Sequence, residues 1–138
     1  MTVEERLQRL EDLEAIRALI AEYRRALDEK DFEAYAELFG EDGEFIADGG
    51  VHARGHEEIL AMLADLQRKG ALTVAAGEDR HLVANTEIAL DGDTATARST
   101  WVYITRTSKL EMVGRYIDTL RRTDAGWRFA RREAPRDI

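Results

Sequence analysis

The hydrophobic pattern of the chain changes its period once, at about Arg80. Before that point apolar residues recur every three or four positions, which is typical of amphipathic helices. After it apolar and polar residues alternate, which is typical of strands that are buried on one face. Because helices precede a run of strands, the sequence predicts an α+β fold in which three helices pack on a curved, mostly antiparallel sheet.

A capping box marks the start of the first helix. Thr2 and Glu5 have the required spacing, and apolar positions then continue in helical register to Leu27. One small domain rarely covers a helix of about 25 residues. We therefore expect the first part of this helix, to about Glu11, to project from the domain or to pair with a partner.

Two shorter helices and a strand complete the first part of the chain. Asp31 is predicted to cap the second helix, and Gly40 and Gly43 are predicted to bracket its end. A short strand is predicted over residues 44–47. The third helix is predicted from about residue 56 to residue 68, where the helical period of the apolar residues returns.

Four strands are predicted in the second part of the chain. They cover residues 80–90, 94–106, 110–123 and 127–134. Hairpin turns are predicted over residues 91–93 and 124–126, and loops over residues 70–79 and 107–109. A curved sheet wrapped over helices forms a cone, and the loop over residues 70–79 is expected to move or to lie over its wide end. A small apolar ligand is expected to enter there.

The length and the charge of the chain restrict its partners. Its 138 residues fit a single domain, residues 1–138. Lys and Arg total 20 and Asp and Glu total 28, so the formal net charge is −8. This charge disfavours a nucleic-acid partner. No segment has the composition of a secretory signal or of a membrane span, so we expect no membrane partner and a cytoplasmic location.

No metal or cofactor is expected. The chain has no cysteine, which excludes disulfides and thiolate ligands. His52 and His56 are four residues apart, but Gly55 argues against one rigid helical face and no third residue has the spacing of a metal ligand. The sequence also lacks a glycine-rich phosphate loop and a nucleophile elbow. Asp48 lies among glycines and is interpreted as a turn residue.

Positive charge is concentrated near the end of the sequence. Residues 114–138 contain seven Arg and four acidic residues. These arginines either form a positive patch that accepts an anionic ligand or, as is more common, pair with acidic residues of the helices.

Asp28 and His81 are the residues best suited to proton transfer. Asp28 lies in the last turn of the first helix, where the helix dipole disfavours a carboxylate, so either another group holds it or it faces water in a turn. Strand alternation places His81, Val83 and Asn85 on one face. A buried His81 would need a partner, and a carboxylate at Nδ1 would leave Nε2 as a proton acceptor near neutral pH. A half-exposed His81 would have no such role.

Tyr23 is a further candidate. It shares a helix face with Ile16, Ile20 and Leu27, so its ring belongs to the predicted core and its hydroxyl needs a partner. Tyr23 and Asp28 are separated by about 140° around the helix axis. They therefore flank one cavity only if the axis follows the cavity wall or the helix unwinds at Asp28.

Several motifs along the chain occur together in one known family. They are Tyr23–Phe32, Leu38–Phe39 with Glu41–Gly43, Gly55, His81 with Asn85, Asp91–Ala95, Gly114–Tyr116 and Asp124–Phe129. In these residues the chain resembles the SnoaL-like branch of the nuclear transport factor 2 (NTF2) superfamily, and the resemblance covers nearly all of its length.

The resemblance implies an Asp–His dyad. Scytalone dehydratase, the bile-acid 7α-dehydratase and a hexachlorocyclohexane dehydrochlorinase of this superfamily use such a dyad, and Asp28 and His81 match its positions. The dehydratases also have a tyrosine that matches Tyr23. Scytalone dehydratase has a second histidine where this chain has none, so a different substrate is expected. The resemblance further implies three pocket residues on the third long strand, namely Met112, Gly114 and Tyr116.

These residues favour a cofactor-independent lyase of the dehydratase type, or an isomerase, that acts on a small hydrophobic steroid-, terpenoid- or polyketide-like molecule. His81, oriented by Asp28, would remove a proton next to an electron-withdrawing group. Tyr23 would hydrogen-bond the carbonyl or departing oxygen. Asn85 and Tyr116 would line the pocket.

Two alternatives stay open. The chain could be a non-catalytic ligand-binding or dimerisation module of the same fold, because members of the superfamily commonly pair through the open sheet face. Outward-facing Trp101 and Tyr103 would suit such an interface, although either residue could belong to the core. The chain could also be a polyketide cyclase or an epoxide hydrolase that uses the same pocket. A homodimer or homotrimer is expected.

Overall fold

The structure is a computed structural model that describes residues 1–70, 80–104 and 110–138. The predicted loop after Gly70 and the predicted loop over residues 107–109 lie outside the described residues. The last two positions of the second predicted long strand, residues 105 and 106, lie outside them as well.

Three helices and six strands form the described part of the chain. The helices are α1 (Val3–Asp28), α2 (Phe32–Glu37) and α3 (Gly55–Arg68), and the strands are β1 (Phe39–Ala47), β2 (Val51–Arg54), β3 (Arg80–Asp91), β4 (Thr94–Ile104), β5 (Leu110–Thr123) and β6 (Gly126–Ala134). One sheet has the strand order β2-β1-β6-β5-β4-β3. Only the β1–β6 pair is parallel among these neighbours. The predicted α+β fold, with helices packed on a mostly antiparallel sheet, is confirmed.

The long first helix begins and projects as the sequence predicted. The hydroxyl of Thr2 accepts from the backbone N–H of Glu5, and the Glu5 carboxylate accepts from the backbone N–H of Thr2, both at 3.0 Å. Residues 1–11 are exposed, and Asp12 is the first buried residue of α1. In the part of the chain that the structure describes, no helix has both the length and the apolar character needed to cross a membrane.

The predicted end of the second helix is wrong. Asp31 caps α2 as predicted, through its carboxylate and the N–H of Ala34, but Gly40 and Gly43 lie inside β1. The strand begins early because its first residue pairs with β6, where Phe39 is opposite Phe129. A Cβ on Gly43 would lie 2.7 Å from the Phe129 carbonyl oxygen, so this glycine permits the close approach of two strands.

Asp12 fastens α1 to the hairpin of β5 and β6. Its carboxylate accepts from Arg122 Nη1 and Nη2 at 2.7 and 2.8 Å, from Trp127 Nε1 at 3.1 Å and from Gln8 Nε2 at 3.0 Å. The pKa of Asp12 falls from 3.8 to about 2, mainly because Arg122 donates hydrogen bonds to the carboxylate. Burial acts in the opposite direction and raises this pKa, but its effect is smaller.

This pKa shift predicts a pH-dependent contribution to stability. Because the folded pKa lies below the unfolded one, the contribution is complete above pH 3.8 and is lost as the pH falls towards about 2. Asp12→Asn should therefore lower the free energy of unfolding by roughly 1–2 kcal/mol at pH 7, and the difference from the parent protein should shrink below about pH 4. Urea unfolding at several pH values measures it.

Asp124→Asn is the matched control because Asp124 is exposed in the turn between the same two strands. That variant should differ little from the parent protein at any pH. An Asp12→Asn penalty that stays constant down to pH 2 would contradict the assigned role of the Asp12 carboxylate.

Candidate active site

Asp28 and His81 form a hydrogen-bonded pair inside the fold. Asp28 Oδ1 lies 2.8 Å from His81 Nδ1, and the backbone N–H of His81 donates to Oδ1 and Oδ2 at 3.2 and 3.0 Å. Asp28 is 3% exposed, and its side chain also lies 3.5 Å from Arg24 Nη1. The carboxylate thus fixes both the backbone and the ring of His81.

The end of α1 explains how a helix residue reaches the start of β3. The helix stops at Asp28 because Lys30 adopts a positive φ of 61° and the N–H of Asp31 bonds back to the Ala26 carbonyl at 2.8 Å. Ala26, Leu27 and Asp28 are consecutive buried residues. The helix is therefore covered around much of its circumference at this end, which lets Tyr23 and Asp28 both face the interior although they are far apart around the axis.

The pairing defines which nitrogen of His81 accepts a proton. An ionised carboxylate has only acceptor sites, so Nδ1 carries the proton and Nε2 carries a lone pair. Within the described residues nothing hydrogen-bonds to Nε2. The ring packs against Trp101 and Tyr103, with centroid distances of 6.0 and 4.8 Å, and the side chain is 15% exposed. Nε2 can therefore accept a proton from a bound molecule.

An open cavity of about 550 Å³ adjoins His81. Its volume falls in the range that small organic ligands occupy. Much of its wall is apolar, from residues that include Leu27, Phe45, Val51, Leu66, Trp101 and Met112. Its polar groups come from His81, Tyr23, Tyr116, Asp48, Arg136 and Asp137. The arrangement suits a small apolar molecule with a few polar substituents.

Tyr23 lines the cavity, and its hydroxyl has a partner that the sequence reasoning missed. The Tyr23 and Tyr35 hydroxyls are 2.7 Å apart, and each residue is 1% exposed. Burial raises the pKa of both phenols well above 10.0, so they stay protonated. When Tyr35 donates to Tyr23, the Tyr23 proton is free for a ligand. Tyr35 lies on α2, so residue spacing within α1 could not indicate this contact.

Tyr116 contributes a second phenol. It is 2% exposed and lines the cavity, and no described residue hydrogen-bonds its hydroxyl. Its ring packs edge-on against Tyr23 with centroids 5.5 Å apart. Burial raises the pKa of Tyr116 well above 10.0, so its hydroxyl is a donor at neutral pH.

A buried ion pair packs against the rings of both phenols. Arg132 donates from Nε and Nη2 to the two oxygens of Asp118 at 2.7 and 2.8 Å, and neither side chain is exposed. The guanidinium lies 3.7 Å from the Tyr116 ring centroid and 4.2 Å from that of Tyr23. The sequence reasoning missed this pair, although Asp118 alternates with Tyr116 and Leu120 and therefore had to face inwards.

Met112 and Gly114 have different relations to the cavity. Met112 lines it, as the resemblance implied. Gly114 is buried where a Cβ would overlap the Trp101 ring and the Pro135 carbonyl oxygen. Gly114 therefore lets Trp101 and the last residues of the chain approach the sheet closely, and it is not part of the described cavity wall.

Asn85 does not lie with the other predicted site residues. Simple alternation predicted that it shares the face of His81, but the β3–β4 register shifts between Ala84 and Glu87. Asn85 has φ 56° at this bulge and is exposed. An Asn tolerates the left-handed conformation found at this bulge, and the extra residue turns its side chain away. The described cavity wall lacks Asn85.

Other predicted positions can also be placed. Trp101 is 7% exposed and belongs to the core and the cavity wall, so it is not an outward-facing interface residue. Tyr103 is half-buried beside the His81 ring. Asp48 lies at the cavity, where it accepts from the backbone N–H of Arg136 at 2.7 Å. His52 and His56 bond separately, to the Glu44 carboxylate and to the Phe39 carbonyl oxygen.

The described residues contain no group of three or more His, Cys, Asp or Glu side chains arranged to hold a metal ion.

The comparisons with known proteins agree with this fold. The chain matches the SnoaL-like domain over residues 8–133, and it belongs to that family within the NTF2-like superfamily. A search of curated proteins found no match.

Three solved structures illustrate the similarity. An NTF2-like protein with a cystatin-like fold from Novosphingobium aromaticivorans is 36% identical with a TM-score of 0.87, over 98% of this chain and 88% of the other. A protein of unknown function from Mycobacterium tuberculosis is 32% identical with a TM-score of 0.80, over 94% of this chain and 74% of the other. A protein provisionally named scytalone dehydratase from N. aromaticivorans is 27% identical with a TM-score of 0.78, over 94% of this chain and 87% of the other.

The close packing at Gly114 predicts that a single methyl group there disturbs the cavity wall. Gly114→Ala should lower the free energy of unfolding by roughly 1–3 kcal/mol, since Trp101 or the chain around Pro135 must move. Thermal or urea unfolding measures the loss. Gly40→Ala is the matched control in the same sheet, because its Cβ would be 3.8 Å from the nearest atom. Equal stabilities of the two variants would contradict the packing argument.

Proposed function

We propose that the chain is a cofactor-independent lyase of the dehydratase type, or an isomerase, that removes a proton from carbon in a small hydrophobic molecule. The proposal rests on one observation above all. His81 Nδ1 lies 2.8 Å from a buried carboxylate, and the ring borders a cavity of ligand size. This arrangement leaves Nε2 free to act as a general base.

The chemistry can be written as balanced steps. His81 Nε2 takes a proton from a carbon next to a carbonyl group, and the C–H electron pair moves towards the carbonyl oxygen. In the lyase reaction this pair then forms a C=C bond as the neighbouring C–O bond breaks. The departing hydroxide takes the proton back from the imidazolium and leaves as water. In the isomerase reaction the imidazolium returns the proton to a different carbon.

The phenols and Asp28 have separate roles in this scheme. Negative charge develops on the carbonyl oxygen as the proton leaves, and a hydrogen bond from Tyr23 or Tyr116 stabilises it. Both hydroxyls stay protonated because burial raises their pKa values. Asp28 holds the tautomer of His81 and stabilises the positive charge that the ring gains. Its full burial makes this interaction stronger than it would be in water.

A non-catalytic binding module is less consistent with the geometry. Ligand binding alone needs no buried carboxylate at the end of a helix, where the dipole opposes its charge. The pair Asp28–His81 has a clear use when His81 must accept a proton. The likeness to a protein provisionally named scytalone dehydratase supports the same conclusion.

A bicyclic β-hydroxyketone, 3-hydroxy-1-tetralone, tests the proposal directly. It has an acidic C–H next to a carbonyl and a hydroxyl that can leave, and loss of water gives 1-naphthol. In D₂O, NMR follows the exchange of the acidic hydrogens, and fluorescence follows 1-naphthol. His81→Gln should reduce the catalysed rate by about 10²–10⁴-fold, and Asp28→Asn should reduce it as well.

His52→Gln is the matched control because His52 is 57% exposed and lies on β2. It should keep the parent rate, and circular dichroism should show that all three variants are folded. A folded His81→Gln protein with the parent rate would refute the base assignment. Binding of the ketone by the parent protein without exchange or elimination would favour the binding module instead.

A further inference from the structure

Arg136 is a cation of the cavity that the proposed chemistry does not use. It lines the same cavity as His81. Of the seven arginines near the end of the sequence, Arg115, Arg122, Arg131 and Arg132 form ion pairs with carboxylates. Within the described residues Arg136 has no such partner. Its guanidinium Nη1 lies 3.4 Å from Met112 Sδ, and a thioether is a weak acceptor.

The backbone around Arg136 is held firmly at the cavity. The Arg136 N–H donates to Asp48 Oδ2 at 2.7 Å. On either side, the Arg115 N–H donates to the Pro135 carbonyl at 3.0 Å and the Asp137 N–H donates to the Val113 carbonyl at 2.7 Å. In this described segment the backbone is already fixed and the Arg136 side chain can adjust to a ligand, so little of the segment has to be ordered when one binds.

The two acidic residues at this end of the cavity are engaged elsewhere. Asp137 accepts from Arg115 Nε and Nη2 at 3.1 Å. Asp48 accepts from the backbone of Arg136 rather than from its guanidinium. The Asp28 carboxylate lies behind His81 and is buried. The Arg136 guanidinium therefore retains donors for an anionic group of a bound molecule, and a planar carboxylate matches its fork of N–H groups.

We infer that the cavity binds an amphipathic acid: an apolar ring system whose reacting carbon faces His81 and whose carboxylate binds Arg136. This inference rests on the proposed function, because it names the substrate class of the same cavity. The sequence left open a positive patch that accepts an anionic ligand. In this inference one residue, Arg136, has that role. An apolar molecule without an anionic group would leave Arg136 unused.

A matched pair of probes tests the inference without any turnover. Naphthalene-2-carboxylate and the neutral naphthalene-2-carboxamide have nearly the same size and differ in charge. Calorimetric titration of the parent protein should show roughly tenfold tighter binding of the carboxylate. The preference should weaken between about 0.05 M and about 0.5 M salt, since the contact is near the surface.

Two variants distinguish the effect of Arg136 on binding from the effect of the net charge of the protein. Arg136→Gln should lose the preference for the carboxylate while its affinity for the amide stays unchanged, which also shows that the cavity is intact. Arg121→Gln removes the same charge from an exposed site of β5 outside the described cavity wall. It should keep the preference. Three results would each overturn the inference. The parent protein could show no preference for the carboxylate, Arg136→Gln could keep the preference, or both variants could lose it.

The same probes distinguish this inference from the proposed function. His81→Gln should still prefer the carboxylate although it no longer catalyses exchange of the β-hydroxyketone. If exchange depends on His81 but the parent protein has no carboxylate preference, the ligand class is wrong and the base assignment stands. If the preference depends on Arg136 but folded His81→Gln exchanges the ketone as fast as the parent protein, the base assignment is wrong and the ligand class stands.

Discussion

The hydrogen bonds of Asp28 join the end of α1 to the start of β3, and the rest of the site depends on them. One carboxylate accepts from the backbone N–H and from the ring of His81, so strand and side chain are positioned together. A buried carboxylate at the negative end of a helix is unfavourable unless charged or polar donors stabilise it. The fold therefore holds an energetically unfavourable carboxylate directly beside His81, and such arrangements are common at functional sites.

A second group of polar residues, the Arg132–Asp118 pair, packs against the phenols that line the cavity. The buried cation Arg132 packs against the rings of Tyr116 and Tyr23, and Asp118 neutralises it. The pair holds two protonated phenols beside His81, so the lining of the open cavity combines an imidazole with two hydroxyl donors. A buried pair of this kind adds little to stability compared with apolar residues of the same size, so its main effect here is to position the rings of Tyr23 and Tyr116.

The sequence predicted the parts of the fold that follow from local rules. The Thr2–Glu5 capping box, the cap at Asp31 and the period-two strands needed only local spacing, and the place of Asp28 and His81 came from the resemblance. Three features depended on tertiary contacts. The bulge at Asn85 broke the alternation, the pairing of β1 with β6 took Gly40 and Gly43 into a strand, and the hydroxyl of Tyr35 met Tyr23 from a different helix. None of these contacts is visible from residue spacing, because each joins segments that are distant in sequence or depends on a register shift.

The tautomers of two histidines test the central claim most directly. In its neutral form the His81 ring should carry its proton on Nδ1, because Asp28 accepts there. The neutral His56 ring should carry its proton on Nε2, which lies 2.7 Å from the Phe39 carbonyl oxygen. Two-dimensional ¹H–¹⁵N NMR of the imidazole nitrogens distinguishes the two forms in one spectrum, with His56 as the internal reference. Opposite tautomers for His81 and His56 are the predicted result. A neutral His81 protonated on Nε2, or exchanging freely between both forms, would show that Asp28 does not prepare it as a base.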